Sequence, residues 1–130
     1  MKLKITNTFE CDEKIADIII KLYKKGYITE FCCSGHPKDL KPYIAFNKNA
    51  SIELHGAHPV NWVTDNAGWK KDDTVYNCYI IKRKFTLKER IKYSSETLID
   101  KAMVELESWV DSLPPSIFCH LYNEYEIEKI

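Results

Sequence analysis

Two runs of apolar residues with helical spacing bracket a centre that has the composition of β-strands, and this order limits the possible folds more than any other feature. In the first run Ile15, Ile18, Ile19, Leu22 and Tyr23 recur at i, i+3, i+4, i+7 and i+8, which builds one apolar stripe on a helix. Asp12 and Glu13 suit the positive end of that helix, Lys24 and Lys25 its negative end, and Gly26 can adopt the left-handed stop. In the second run Leu98, Ile99, Ala102, Met103, Leu106, Trp109, Val110 and Leu113 keep the stripe. Ser94 or Ser95 serves there as N-cap, and Pro114-Pro115 ends the helix because proline can neither donate nor fit a helix interior. Each stripe needs a second layer to cover it.

The centre supplies that layer. Residues 27–33 (YITEFCC) are β-branched and aromatic and read as a buried strand, with 42–47 as its hairpin partner after a polar turn. Residues 2–9 form a short alternating strand, 51–54 a further one, and 75–85 the longest strand signal. The tail, with aromatic and acidic residues in alternation, adds an edge strand. Residues 55–73, punctuated by Gly56, Pro59, Asn61, Asn66 and Gly68, read as a loop, and a loop of that length is usually functional. The expectation is one α+β domain over residues 1–130: a mixed or antiparallel sheet of four to six strands packed by two helices, about 12–25 and 95–113.

Nineteen Lys+Arg balance nineteen Asp+Glu, which argues against a long nucleic acid or a membrane surface as partner, since both need a sustained positive surplus. The balance is uneven along the chain. Residues 82–92 carry six basic side chains and one acidic, whereas residues 93–130 carry two basic and eight acidic. No apolar stretch resembles a signal peptide or a membrane span, and five cysteines without a framework spacing point to reduced thiols in the cytoplasm.

One turn stands out chemically. Cys33-Ser34-Gly35-His36-Pro37 closes a strand; Gly35 permits positive φ, and Pro37 keeps His36 out of helical geometry. Successive N–H groups at Ser34, Gly35 and His36 can form an anion nest, with the Ser34 hydroxyl and the imidazole as further donors. A plain hairpin turn with a surface histidine accounts for the same residues. Arg83, in a strand whose alternation faces it away from Lys82 and Lys84, points at a site while they face water, or the reverse; such a run usually marks a solvated edge, and beside a nest Arg83 would be a phosphate clamp. Tyr43 or Trp69 could stack on a base; Trp62 and Trp69 divide between core and ligand, and Trp109 belongs to the core.

Two rival chemistries use the same turn. Cys33-x-x-His36 and His55-x-x-His58 together offer four zinc-type ligands, although their spacings differ from the usual knuckles and Pro37 and Pro59 adjoin them. Cys33 as a nucleophile would need close contact with His36 and an orienting third group, and no such group is evident from the sequence. No cofactor, resident metal or catalytic residue is expected.

The block GYITEFCCSGHPKDLKPYIAF (26–46) resembles a motif of small proteins from phages and Gram-positive bacteria. In these a helix, then Gly-Tyr-x-Thr, then Cys-x-Gly-His, then Tyr-Ile-x-Phe recur in that order, often with an Arg in a later strand, where Arg83 falls. The chain thereby resembles the viral anti-CBASS sponges, which sequester cyclic dinucleotide immune signals as symmetric oligomers without cleaving them. The resemblance covers about one-sixth of the chain. It implies a phage-type immune-evasion protein of the host cytosol, a homo-oligomer that binds a small phosphorylated nucleotide. Ser34, Gly35, His36 and Arg83 are the residues it carries over; with Cys33, Tyr43, Trp69 and Lys84 they make up the expected ligand site. The turn is also similar, more weakly, to that of the wybutosine-synthesising tRNA methyltransferases, with His36 where that family has Arg. That likeness implies an enzyme acting on a nucleotide or RNA.

Overall fold

The computed structural model describes residues 4–6, 12–36, 40–46, 54, 56–65, 69–71, 74–76, 79–116 and 124–126. The first stripe forms α1 (Glu13–Lys24), which buries Ile15, Ile18, Ile19, Leu22 and Tyr23. Gly26 takes φ +89°, the left-handed stop. The chain then enters β2 (Thr29–Cys33) and returns in β3 (Tyr43–Phe46), antiparallel to it. With β4 (Trp62–Asp65) and β7 (Tyr79–Arg83) these strands make an antiparallel sheet in the order β2-β3-β7-β4. Between them, β5 (Trp69–Lys71) and β6 (Thr74–Tyr76) form a separate antiparallel pair. After β7 come α2 (Leu87–Lys92) and α3 (Ser95–Ser112), and β8 (Glu124–Glu126) pairs in parallel with β1 (Lys4–Thr6). The class is α+β, as expected. No described helix is long and apolar enough to cross a membrane.

Strand alternation sorts the sheet into two faces. Ile44, Phe46, Tyr79, Ile81 and Trp62 point inward and join the α1 and α3 stripes in one core, with Leu98, Ile99, Ala102, Leu106 and Val110 fully covered. The two helices are laced along their sides by Lys14–Asp100 (2.8 Å) and Lys21–Asp111 (3.0 Å). Lys25 closes the end of α3 by donating to the carbonyls of Val110 and Leu113, both at 2.7 Å. The other face carries the row Cys33, Tyr43, Lys82, Val63, since these residues are directly paired across the strands.

Four expectations change. Residues 62–65 and 69–71, read as loop, are strands: β4 completes its backbone hydrogen bonds on β7, and Trp62 is buried in the core. The long strand expected over 75–85 is two strands, β6 and β7, which belong to different ladders. A third helix, α2, was not expected, because it buries no residue and so has no apolar stripe. Its start is nevertheless a capping box, in which the Thr86 side chain accepts from Glu89 N–H and the Glu89 carboxylate accepts from Thr86 N–H. The strand expected at 51–54 lies outside the described residues except for Leu54, which is helical and buried.

Arg83 is the buried charge around which one end of the core is built. It is 3% exposed and donates to Glu105 on α3 (2.8 Å) and Glu89 on α2 (2.7 Å). It also reaches the carbonyl of Lys84 (2.9 Å), and its guanidinium lies 4.8 Å from the Phe85 ring. Glu105 in turn accepts from Asn61 Nδ2 at 2.7 Å, and Asn61 holds φ +65° at the entry to β4. The hydrogen bond from Arg83, then that from the Thr86 N–H, pulls the Glu89 carboxyl down to about 2. A carboxyl depressed on folding stabilises the fold above its ordinary value near 4.5, and that contribution disappears as pH falls towards 2. The thermal midpoint should therefore drop across this interval, and Glu89→Gln should start lower at neutral pH but lose less on acidification. Parallel curves for the two proteins in a circular-dichroism melt series would contradict the pairing. Glu105→Ala, which leaves Arg83 paired with Glu89 but its buried Nε without an acceptor, should cost about 1–3 kcal/mol in urea unfolding.

Candidate functional site

At the end of β2 the chain turns through Ser34, Gly35 and His36. Gly35 holds φ +91°, a backbone that favours glycine, and a Cβ at this position would stand 3.1 Å from Pro42 Cγ, a contact tight enough that Pro42 would have to shift. Ser34 and Gly35 are buried, whereas the His36 side chain is exposed.

The turn is held by a residue from elsewhere in the chain. Asp12 sits at the N-cap of α1 with extended backbone, yet its side chain makes no cap hydrogen bond. Its Oδ2 instead accepts from Ser34 N–H (3.1 Å) and Ser34 Oγ–H (2.9 Å), and lies 3.7 Å from Cys33 Sγ. Cys33 Sγ also receives the Gly35 N–H at 3.4 Å and stands 3.6 Å from His36 Nε2. Partial burial works to raise the Asp12 carboxyl, but the Ser34 N–H and hydroxyl, the charge of His36 and the Cys33 contact together hold it below the usual carboxylate value. The corner therefore holds a carboxylate facing a thiol and an imidazole. Beside it, Tyr43 is directly paired with Cys33, and burial followed by the charges of Cys33, Cys32 and Asp12 pushes its hydroxyl up, so that it stays a donor.

Of the residues expected from sequence, Cys33, Ser34, Gly35, His36 and Tyr43 come together here. The two N–H groups of Ser34 and Gly35 are not an open nest: one is taken by the Asp12 carboxylate, the other by the Cys33 sulfur. Arg83 is not brought to the turn. Alternation places it on the helix-facing side with Ile81, and its donors are spent on Glu89 and Glu105. Lys84 is exposed at the same end of the sheet as the turn, one residue past the Arg83 N–H that donates to the Pro42 carbonyl. Trp69 lies in β5 opposite Tyr76, in the ladder separate from the four-stranded sheet. Trp62 is core, its Nε1 buried with no hydrogen-bond partner among the described residues. Trp109 packs on the core, edge-on to Phe46.

The metal-type cluster among the described residues is Asp12, Cys33 and His36, whose ligand atoms all lie within 4.8 Å of one another. His58, a ligand only in the rival zinc reading, is not in it; its Nδ1 faces the Pro59 carbonyl at 2.9 Å. His55 lies outside the described residues. Asp12 is the functional residue that sequence reasoning missed. Its position before a helix signals a cap, and nothing local indicates a partner twenty-two residues away.

No family model, no curated protein and no solved structure matches the chain. Gly35→Ala should destabilise by about 1–2 kcal/mol, the cost of a left-handed backbone for a residue with a Cβ, and shift the amide resonances of Ser34 and His36. An unperturbed turn in the two-dimensional NMR spectrum would contradict the geometry described.

Proposed function

We propose that this protein binds a small phosphorylated molecule, a nucleotide of the cyclic dinucleotide class, at the end of the sheet marked by the 33–36 turn, and sequesters it without cleaving it. The observation that carries this reading is the meeting of an exposed imidazole, a half-buried tyrosine and exposed cations on the rigid end of a sheet. His36 and Tyr43 flank Cys33, while Lys41 and Lys84 flank the hydrogen bond between Pro42 and Arg83. Neighbouring strands lie about 4.8 Å apart, so β2 to β7 spans about 10 Å, the width of a nucleotide. Tyr43 supplies a ring for the base and a hydroxyl donor, and the lysines meet the phosphate. The resemblance of residues 26–46 to the sponges supports the same ligand class.

Binding without turnover is supported by the arrangement of Cys33. A nucleophilic thiolate needs its charge favoured by its neighbours. Here the Asp12 carboxylate that faces the sulfur is bonded to Ser34 and engaged with the turn rather than orienting His36. Oligomerisation and a place in the host cytosol belong to the same proposal and rest on the resemblance.

Calorimetry with a panel of cyclic dinucleotides, followed by chromatography of the recovered ligand, tests it. Saturable binding with the ligand intact is expected. Tyr43→Ala should weaken it by about 5-fold to 150-fold, which is the 1–3 kcal/mol of one stacked base. Turnover of the ligand, or no binding by any member of the panel, would overturn the proposal.

A further inference from the structure

Asp12 departs from the usual behaviour of its position. An aspartate at an N-cap normally accepts from the first turn of its own helix and stabilises it by about 0.5–2 kcal/mol. This one makes no such bond, although its backbone is in the capping conformation. Its carboxylate is turned across the chain onto Ser34 and Cys33. The helix forgoes its cap, and what it holds instead is a carboxylate, a thiol and an imidazole side by side.

The two distances from the sulfur are those of a tetrahedral ion. The carboxylate and the imidazole lie within 4.8 Å of each other and would close to about 3.3 Å on a shared ion. Zinc bonds of about 2.3 Å to sulfur and about 2.0–2.1 Å to nitrogen and oxygen, set at the tetrahedral angle, put sulfur about 3.5–3.6 Å from each of the other two ligand atoms. Cys33 Sγ is 3.6 Å from His36 Nε2 and 3.7 Å from Asp12 Oδ2. The groups that surround the ligands are also of the kind that orient metal ligands: Ser34 fixes the carboxylate through two hydrogen bonds, and the Gly35 N–H points at the sulfur. Both come from the turn that Gly35 makes possible.

We propose that Asp12, Cys33 and His36 bind a single zinc-class divalent transition metal ion through one oxygen, one sulfur and one nitrogen, leaving the fourth position open. The thiol proton leaves to solvent on coordination, so the sulfur binds as thiolate. Two protein anions neutralise the ion. Such an ion also resolves a conflict in the ligand reading, on which this second role rests. The Asp12 carboxylate repels a bare phosphate, whereas an ion seated on it offers the phosphate oxygen a Lewis-acid partner.

The full-length protein, reduced and freed of metal, is titrated with Co2+ alone. A thiolate-to-cobalt charge-transfer band in the near ultraviolet and the intense visible bands of four-coordinate cobalt are expected at one equivalent, displaced by Zn2+. Cys33→Ser should abolish the charge-transfer band while leaving the circular-dichroism spectrum unchanged. Ser34→Ala should weaken metal affinity by about 10–100-fold, the usual effect of removing a group that orients a ligand. Lys88→Ala, on the exposed helix α2, should leave it unchanged. Absence of the band, weak spectra of six-coordinate cobalt, or a band that survives Cys33→Ser would overturn the site. Repeating the nucleotide titration with and without Zn2+ separates the two proposals. Nucleotide binding with no cobalt site sinks the metal and leaves the ligand reading standing; a cobalt site with no nucleotide binding does the reverse.

Discussion

A single carboxylate oxygen, Asp12 Oδ2, ties the start of α1 to the turn at the end of β2, and the chemistry of that corner follows from it. It receives the Ser34 N–H and hydroxyl and faces the Cys33 sulfur. Because an anion already sits on the turn, the 33–36 segment cannot behave as an empty phosphate nest. The arrangement suits a cation. A stabilising helix cap is given up to maintain it, and proteins commonly break a local rule of this kind at functional sites.

Strand β7 shows how the parity of a strand divides structure from site. Lys82 and Arg83 are neighbours in sequence and face opposite sides. Arg83 goes inward, where Glu105 and Glu89 neutralise it and so join β7 to α2 and α3. Lys82 goes outward and pairs with Asp65 at 2.7 Å. The basic run that resembles a ligand clamp in the sequence is therefore partly a buried staple of the fold. Exposed at that end are Lys84 and Lys41, and Tyr43 is paired with Cys33 beside the turn.

Much of the fold is legible in the chain alone. The helices α1 and α3 announce themselves by period and by their ends, Gly26 with φ +89° and Ser94 as an N-cap accepting from Thr97 N–H. The pairing of β2 with β3 follows from two β-rich runs either side of a turn rich in Gly and Pro. The strand β4 is hidden because four residues carry little periodicity, and its hydrogen bonds come from β7, far along the chain. Helix α2 is hidden because it has no buried face, although Thr86 and Glu89 spell its capping box. Arg83 has two possible directions, and only the tertiary partners Glu89 and Glu105 decide between them. Asp12 is out of reach altogether, because its role arises from a contact between segments that local patterns do not connect.

The central claim is that Asp12, Cys33 and His36 form one cation site of mixed ligands. X-ray absorption at the zinc edge, on protein loaded with one equivalent of Zn2+, measures that ligand set directly. One sulfur at about 2.3 Å is expected, within a shell of nitrogen and oxygen at about 2.0–2.1 Å. A shell of nitrogen and oxygen alone, with no sulfur, would contradict it.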